Sequence, residues 1–313
     1  MKGCPGGAPG EQRAAPKPAV NLEEYVIEKR RVIDSALDEY LPPEDAFPDV
    51  IFRAMRYGVL TGGKRIRPIL VLAACEAVGG DVEIAMPTAC AVEFIHSFSL
   101  IHDDLPALDN DDLRRGKPTS HKVFGEAIAI LAGDALLALA FETITSRTQG
   151  APADVVLDVT RRIASAVGTG GMVVGQVVDM ISEGKEIPPE TLEFMHRNKT
   201  GALIEACVVC GGLLGGGSPE QIEALRVYGA NVGLAFQIAD DILDVEGEQE
   251  KIGKTVGSDV RKQKSTYPSI FGLEKSRGLA LQAVGNAVNA LRGFGPEADP
   301  LRALARFIAE REA

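Results

Sequence analysis

The 313-residue chain is expected to fold as an all-α, single-domain bundle of about a dozen helices around a central cavity. Apolar residues recur at helical spacing from about residue 20 to the C-terminus, and no period-2 run suggests a strand. Proline and glycine clusters, rather than linkers, separate the helical stretches. A hydrophobic content of 45% is ample for one large core.

Residues 1–20 are rich in Gly, Pro and Ala and carry no apolar h-region, so a flexible tail is expected before a domain spanning 21–313. In residues 21–40 the apolar positions Leu22, Tyr25, Val26, Ile33 and Leu37 have helical spacing, and Pro42-Pro43 ends the stretch. Pro48 opens a second helix to about Leu60. Next, Gly58-x-x-x-x-Gly63-Lys64 nearly matches a phosphate-binding loop, but Arg65 stands where Ser or Thr belongs and the preceding residues read as helix. What remains is a glycine pair followed by Lys64, Arg65 and Arg67 at the mouth of an apolar helix. Such a cluster suits a diphosphate, although alone it reads equally as a solvated basic turn.

Residues 81–105 form a long apolar helix that Pro106 stops, leaving Asp103 and Asp104 in its last turn and Asp109 just beyond. Anions are disfavoured at a helix C-terminus, so these aspartates point to a cation site rather than a cap. His96 lies two turns before Asp103 on the same face. A basic link carrying Arg114 and Arg115 leads to a second long buried helix ending near Ser146. Helices over 154–167 and 172–182 follow, the latter with Gln176 and Asp179 on one face. In the helix over 190–214 an apolar sequence is interrupted by His196-Arg-Asn-Lys-Thr, so Lys199 and Thr200 place polar groups in greasy surroundings. Residues 219–245 make the longest helical pattern. Near its end Asp240 and Asp244 are spaced i, i+4, with Asp241 alongside and Gln237 one turn earlier. A basic stretch containing Lys254 and Lys264 lies beyond, and amphipathic helices complete the chain.

A net charge of −11 leaves no basic surplus for a nucleic acid partner. The longest apolar run, 123–141, is interrupted by Glu126 and Asp134, so no transmembrane segment is expected. Five cysteines without a secretory signal point to free thiols in a reducing, cytoplasmic setting, with Cys207 and Cys210 as core residues rather than a metal or redox pair. The two aspartate clusters lack the twelve-residue EF-hand pattern. Carboxylate oxygens are hard ligands, and Mg²⁺ takes one or two of them together with waters and substrate phosphates. A diphosphate bridged through Mg²⁺ is therefore the expected ligand.

Several motifs occur in order over residues 20–313: Gly62-Gly63-Lys64-Arg65-x-Arg67-Pro68, Asp103-Asp104-x-x-x-x-Asp109 with Arg114-Arg115-Gly116-Lys117-Pro118, Lys199-Thr200, Gln237, Asp240-Asp241-x-x-Asp244 and Gly253-Lys254-Thr255. In these the chain resembles the trans-isoprenyl diphosphate synthases, the polyprenyl synthetase family. That resemblance implies the isoprenoid synthase fold, a homodimer, and Mg²⁺ ions held by Asp103, Asp109 and Asp240, with Asp104, Asp241 and Asp244 in support. It further implies that Arg114, Lys199, Thr200, Gln237, Lys254 and Lys264 hold an allylic diphosphate, while Lys64, Arg67, His96 and Arg115 bind isopentenyl diphosphate. The implied reaction is ionisation of the allylic diphosphate, 1'-4 condensation and proton loss.

Product length is less determined. Phe98 lies five residues before Asp103, about 7.5 Å deeper along the helix. An aromatic there, with the two-residue insertion in the first motif, resembles bacterial-type farnesyl diphosphate synthases and leads us to expect a C15 product. Other segments resemble cyanobacterial and plastid geranylgeranyl diphosphate synthases, so C20 is the alternative, and Phe98 can equally be ordinary core. Two further classes stand beside the main one: a class I terpene cyclase and a non-catalytic subunit of a heteromeric synthase. Both are disfavoured by two complete aspartate motifs and the Lys64/Arg67 pair.

Overall fold

The computed structural model describes residues 21–246 and 265–310, with side chains to residue 308. The expected N-terminal tail and the sites at Lys254 and Lys264 lie outside the described residues. Helix α1 (Leu22–Tyr40) is capped by the Asn21 side chain, which accepts from the Glu23 and Glu24 amides. Then come α2 (Asp49–Leu60), α3 (Ile66–Ala77) and α4 (Val82–Asp103), the last capped by Asp81. A two-residue hairpin joins β1 (Leu113–Arg114) to β2 (Lys117–Pro118). It is followed by α5 (Ser120–Phe124), α6 (Glu126–Arg147), α7 (Ala153–Val167) and α8 (Met172–Ser182). Helix α9 (Pro189–His196) runs through a π turn (Arg197–Gly201) into α10 (Ala202–Leu214). The chain then continues as α11 (Pro219–Glu246), α12 (Tyr267–Phe271), α13 (Leu273–Ala290) and α14 (Asp299–Glu310).

Helices α3 and α10 are apolar on nearly every side because they lie innermost. Helix α3 packs on α4 and α10, and α10 packs in turn on α7 and α11. The α3–α10 crossing is close: a Cβ on Gly211 would lie 2.1 Å from the Val71 carbonyl oxygen, so only glycine fits. Cys75, Cys90, Cys207 and Cys210 are buried free thiols, in keeping with their expected core role.

The structure departs from the expected element list at three places. The hairpin at 113–118 is too short to leave a period-2 pattern; Arg115 (φ 54°) and Gly116 (φ 75°) supply the two positive-φ turn positions it needs. The helix expected to run unbroken to Ser146 is split at Gly125 (φ 83°). Helix α6 is also only partly covered, with Ile130 and Leu131 at 42% and 54% exposure. By length and composition alone, α4, α6 and the stretch 153–182 could each cross a bilayer. Helix α4 spends its apolarity on the core, and on α6 the Asp134 side chain is 61% exposed, a costly group to place in lipid.

Arg65 is not part of a diphosphate cluster. Its αL backbone (φ 54°) turns the guanidinium inward, where it donates to Glu93 Oε1 at 2.6 Å, Asp34 Oδ1 at 2.8 Å and the Val59 carbonyl at 2.9 Å. It is 3% exposed and Glu93 2%. Arg65→Met leaves Glu93 buried and unpaired, and should cost about 3 kcal/mol in urea unfolding. Adding Glu93→Leu should recover most of that loss.

Candidate active site

The first aspartate cluster is built by main-chain bonds beyond the end of α4. Asp109 N donates to the Asp103 carbonyl at 2.8 Å and Asn110 N to the Leu105 carbonyl at 3.1 Å, which folds the loop back and sets Asp109 beside Asp103. Thr119 secures the far side, donating through N to the Asp112 carbonyl at 3.0 Å and through Oγ1 to that of Asp111 at 2.8 Å. Asp104, 3% exposed, is gripped by Arg114 from β1: Nε reaches Oδ1 at 2.7 Å and Oδ2 at 2.9 Å, and Nη2 also donates to Oδ1. Arg114 was expected to hold substrate; here its Nε and Nη2 are directed at Asp104, so its first effect is to fix the loop.

Among the described residues no arginine is at hydrogen-bond distance from the Asp103 carboxylate. Burial pushes its carboxyl up to about 6; Lys199 and Arg114 oppose this, while Asp109 and Asp104 add to it. A half-buried carboxylate under repulsion from two others, offset in part by Lys199 and Arg114, is an environment that a divalent cation relieves. Among the described residues no three of His, Cys, Asp and Glu come together closely enough to cage an ion.

In the second cluster the three aspartates divide their work by depth. Asp241 is buried and accepts from Gln237 Nε2 at 3.1 Å and from the Tyr267 amide at 2.9 Å, tying α11 to α12. Gln237 Oε1 accepts in turn from Thr200 Oγ1 at 2.8 Å, and the His196 ring, tilted over Tyr267, lies 3.8 Å from Asp241 Oδ2. Asp240 is exposed and Asp244 half-buried, so these two face outward from the anchored one.

Lys199 comes from the π turn and is held by Asp179 on α8, Nζ to Oδ2 at 2.6 Å. The approach is tight: a Cβ on Gly175 would lie 2.2 Å from Lys199 N. Lys199 is also the principal charge lowering Asp103, whereas the next residue, Thr200, reaches Gln237. Adjacent residues of one π turn thus serve the two clusters. The sequence singled out Lys199 and Thr200 but did not pair Lys199 with Asp179; an ammonium in an apolar run called for a carboxylate, and Asp179 was the signal.

A basic nest completes the site. His96 is held neutral, its pKa lowered well below normal by burial and then by Arg67, Arg115, Arg114 and Arg65. Arg67 Nε is buried with no hydrogen-bond partner among the described residues, and burial lowers the Arg67 pKa against the pull of Cys207, Glu93 and Asp240. Arg115 donates to the Gly62 carbonyl, which brings the hairpin against the glycine pair beside the exposed Lys64. Crowded guanidiniums with an orphaned N–H fit a polyanion. The charge of Asp240 acts on Arg67, raising its pKa against burial. Two surface hollows, one lined by Asp38, Glu44 and Arg56 and the other by Tyr40, Ile84 and Arg147, contain none of these groups.

Because Asp103 is raised to about 6 in the fold, its contribution to stability is present at low pH and is lost as pH rises from about 4 through about 6. Cation-free protein in chelator should therefore show a Tm that falls over this window. Asp103→Asn should remove that part of the fall and raise Tm at pH 7.5, as calorimetry will read.

The comparisons agree with this geometry. The polyprenyl synthetase family matches residues 48–290. A dimethylallyltranstransferase of Fischerella ambigua is 51% identical over 292 residues, spanning 93% of this chain and 84% of its own. A geranylgeranyl diphosphate synthase of Cyanophora paradoxa is 49% identical, spanning 93% of this chain and 97% of its own. The crystal structure of an FPP/GFPP synthase from Zymomonas mobilis superimposes with a TM-score of 0.84 at 41% identity, covering 92% of this chain and 99% of that one. With both aspartate clusters, the bridging Lys199 and the basic nest in place, the chain belongs to the polyprenyl synthetase family of prenyltransferases.

Proposed function

We propose that this short-chain prenyltransferase is a geranylgeranyl diphosphate synthase. It condenses isopentenyl diphosphate with allylic diphosphates, up to C20. The observation that carries the reaction is the pair of outward-facing aspartate clusters beside a separate nest of guanidiniums with an orphaned Arg67 Nε. Two diphosphates need two such places. The C20 product, rather than the C15 expected from Phe98, is favoured by kinship with the Cyanophora enzyme.

Asp103, Asp109 and Asp240 would hold Mg²⁺, which supplies charge neutralisation for the departing pyrophosphate. Lys199 adds a fixed cation at the same place, held by Asp179 against movement. Thr200 and Gln237 act through Asp241, keeping α11 in register with α12. Arg67, Arg115, Lys64 and the neutral His96 receive isopentenyl diphosphate and present its alkene to the allylic carbon. Asp104 and Arg114 keep the first loop closed. Proton loss to the departing pyrophosphate finishes the condensation, and no side-chain nucleophile takes part. Phe98, on the same helix as Asp103, bounds the space for the growing tail.

Purified protein with Mg²⁺, isopentenyl diphosphate and dimethylallyl, geranyl or farnesyl diphosphate should yield geranylgeranyl diphosphate from each starter by chromatography. A product that stops at C15 would return the assignment to farnesyl diphosphate synthase. Cyclic hydrocarbon, or turnover only with a second protein, would sink it. Arg67→Ala should raise KM for isopentenyl diphosphate at least tenfold, on the scale of a lost charge-assisted bond, with little change for the allylic substrate.

The enzyme is further proposed to be a homodimer. Helices α6, α7 and α8 expose Leu131 at 54%, Leu157 at 70%, Val177 at 49% and Ile181 at 60%, apolar surface that a second copy would cover. Light scattering should give twice the 33.2 kDa chain mass, and Leu131→Asp with Leu157→Asp should shift it to monomer.

A further inference from the structure

His102 precedes Asp103 and has no part in the proposed chemistry, yet its ring is held on three sides. Its Nε2 lies 3.1 Å from the Ile130 carbonyl oxygen on α6; a carbonyl only accepts, so Nε2 carries the proton in that contact. The same nitrogen is 3.9 Å from Asp134 Oδ1. The ring lies over Gly133, where an added Cβ would come within 2.3 Å of Nε2 and 2.5 Å of Cδ2. The seat exists because residue 133 has no side chain. On its remaining edge the ring meets Phe98, one turn earlier on α4, with centroids 4.8 Å apart and planes at 71°. This is the edge-to-face arrangement that aromatic pairs prefer.

Phe98 and His102 share a face of α4, and everything else that His102 touches here belongs to α6. The Phe98 ring is therefore tied to the α4–α6 seam and is 9% exposed. We infer that His102, seated on Gly133, is a positioning residue for product length: it holds the Phe98 ring against α6, out of the path of the growing hydrocarbon. This rests on the proposal that Phe98 bounds the tail. It also explains how an aromatic at that position coexists with a C20 product. The ring is large enough to stop the chain early, but only when it swings away from its partner.

The test is the C15-to-C20 product ratio, from geranyl diphosphate, isopentenyl diphosphate and Mg²⁺, for the wild type, His102→Ala, Gly133→Ala, Phe98→Ala and the Phe98→Ala/His102→Ala double variant. His102→Ala removes the partner and Gly133→Ala unseats it, so each should raise the C15-to-C20 ratio about fivefold, the scale of one aromatic pair. Phe98→Ala should give products longer than C20. The double variant should match Phe98→Ala, because without the ring there is nothing to hold. A general loss of packing near Asp103 would lower the rate without this dependence on Phe98. An unchanged ratio in both His102→Ala and Gly133→Ala, while Phe98→Ala lengthens the product, overturns the lock and leaves the role of Phe98 standing. Unchanged products in Phe98→Ala overturn both. Should His102→Ala fail to fold, Gly133→Ala decides, since alanine is the better helix former at that position unless the seat is real.

Discussion

The structure depends on how it divides its buried carboxylates into those paired by the protein and those left for a ligand. Asp104 is satisfied by Arg114, and Asp241 by Gln237 and the Tyr267 amide. These contacts carry the cost of desolvation and anchor the ends of α4 and α11. At Asp103, burial with the repulsion of Asp109 and Asp104 outweighs the pull of Lys199 and Arg114, and its pKa is raised. Each cluster therefore has an inner aspartate that holds the frame and outer ones that face the site.

The basic side follows the same division. Arg65 and Arg67 are two residues apart, yet the αL turn at Arg65 sends its guanidinium to Glu93 and Asp34 while Arg67 keeps an orphaned Nε beside His96. One arginine stabilises the entrance to α3; the other waits for an anion. Burial, and after it four nearby guanidiniums, keeps His96 neutral, so it can enter a hydrogen bond without adding to the repulsion.

Between the clusters, the π turn at Arg197–Gly201 brings Lys199 toward Asp103 and Thr200 to Gln237. A regular helix would place consecutive side chains about 100° apart on a fixed spiral; the wider turn re-aims them. It fits against α8 only because Gly175 is there. The residues that make the site possible thus include glycines with no chemistry of their own. Gly211 lets α3 and α10 touch, and Gly133 gives His102 its seat.

Much of this was legible in the amino-acid order. Helical periodicity marked α1, α2, α4, α7, α8 and α11 because one face of each meets a common core, and the period of that burial is local. The aspartates stood out because carboxylates are rare in apolar helices, and their spacing with Lys64, Arg67 and Lys199 carried the family. What the sequence did not contain is pairing across distance. That Arg65 serves Glu93, that Arg114 serves Asp104, that Lys199 needs Asp179, and that Phe98 leans on His102 over Gly133 are matters of which surfaces meet. An isolated arginine looks the same whether it binds substrate or a buried glutamate, because both uses need the same fork of N–H groups. Residue type and period determined the helices and the chemistry present. Only the packing of α4 on α6, α8 on the π turn and α11 on α12 decided which charges are spent inside the protein and which remain for the diphosphates.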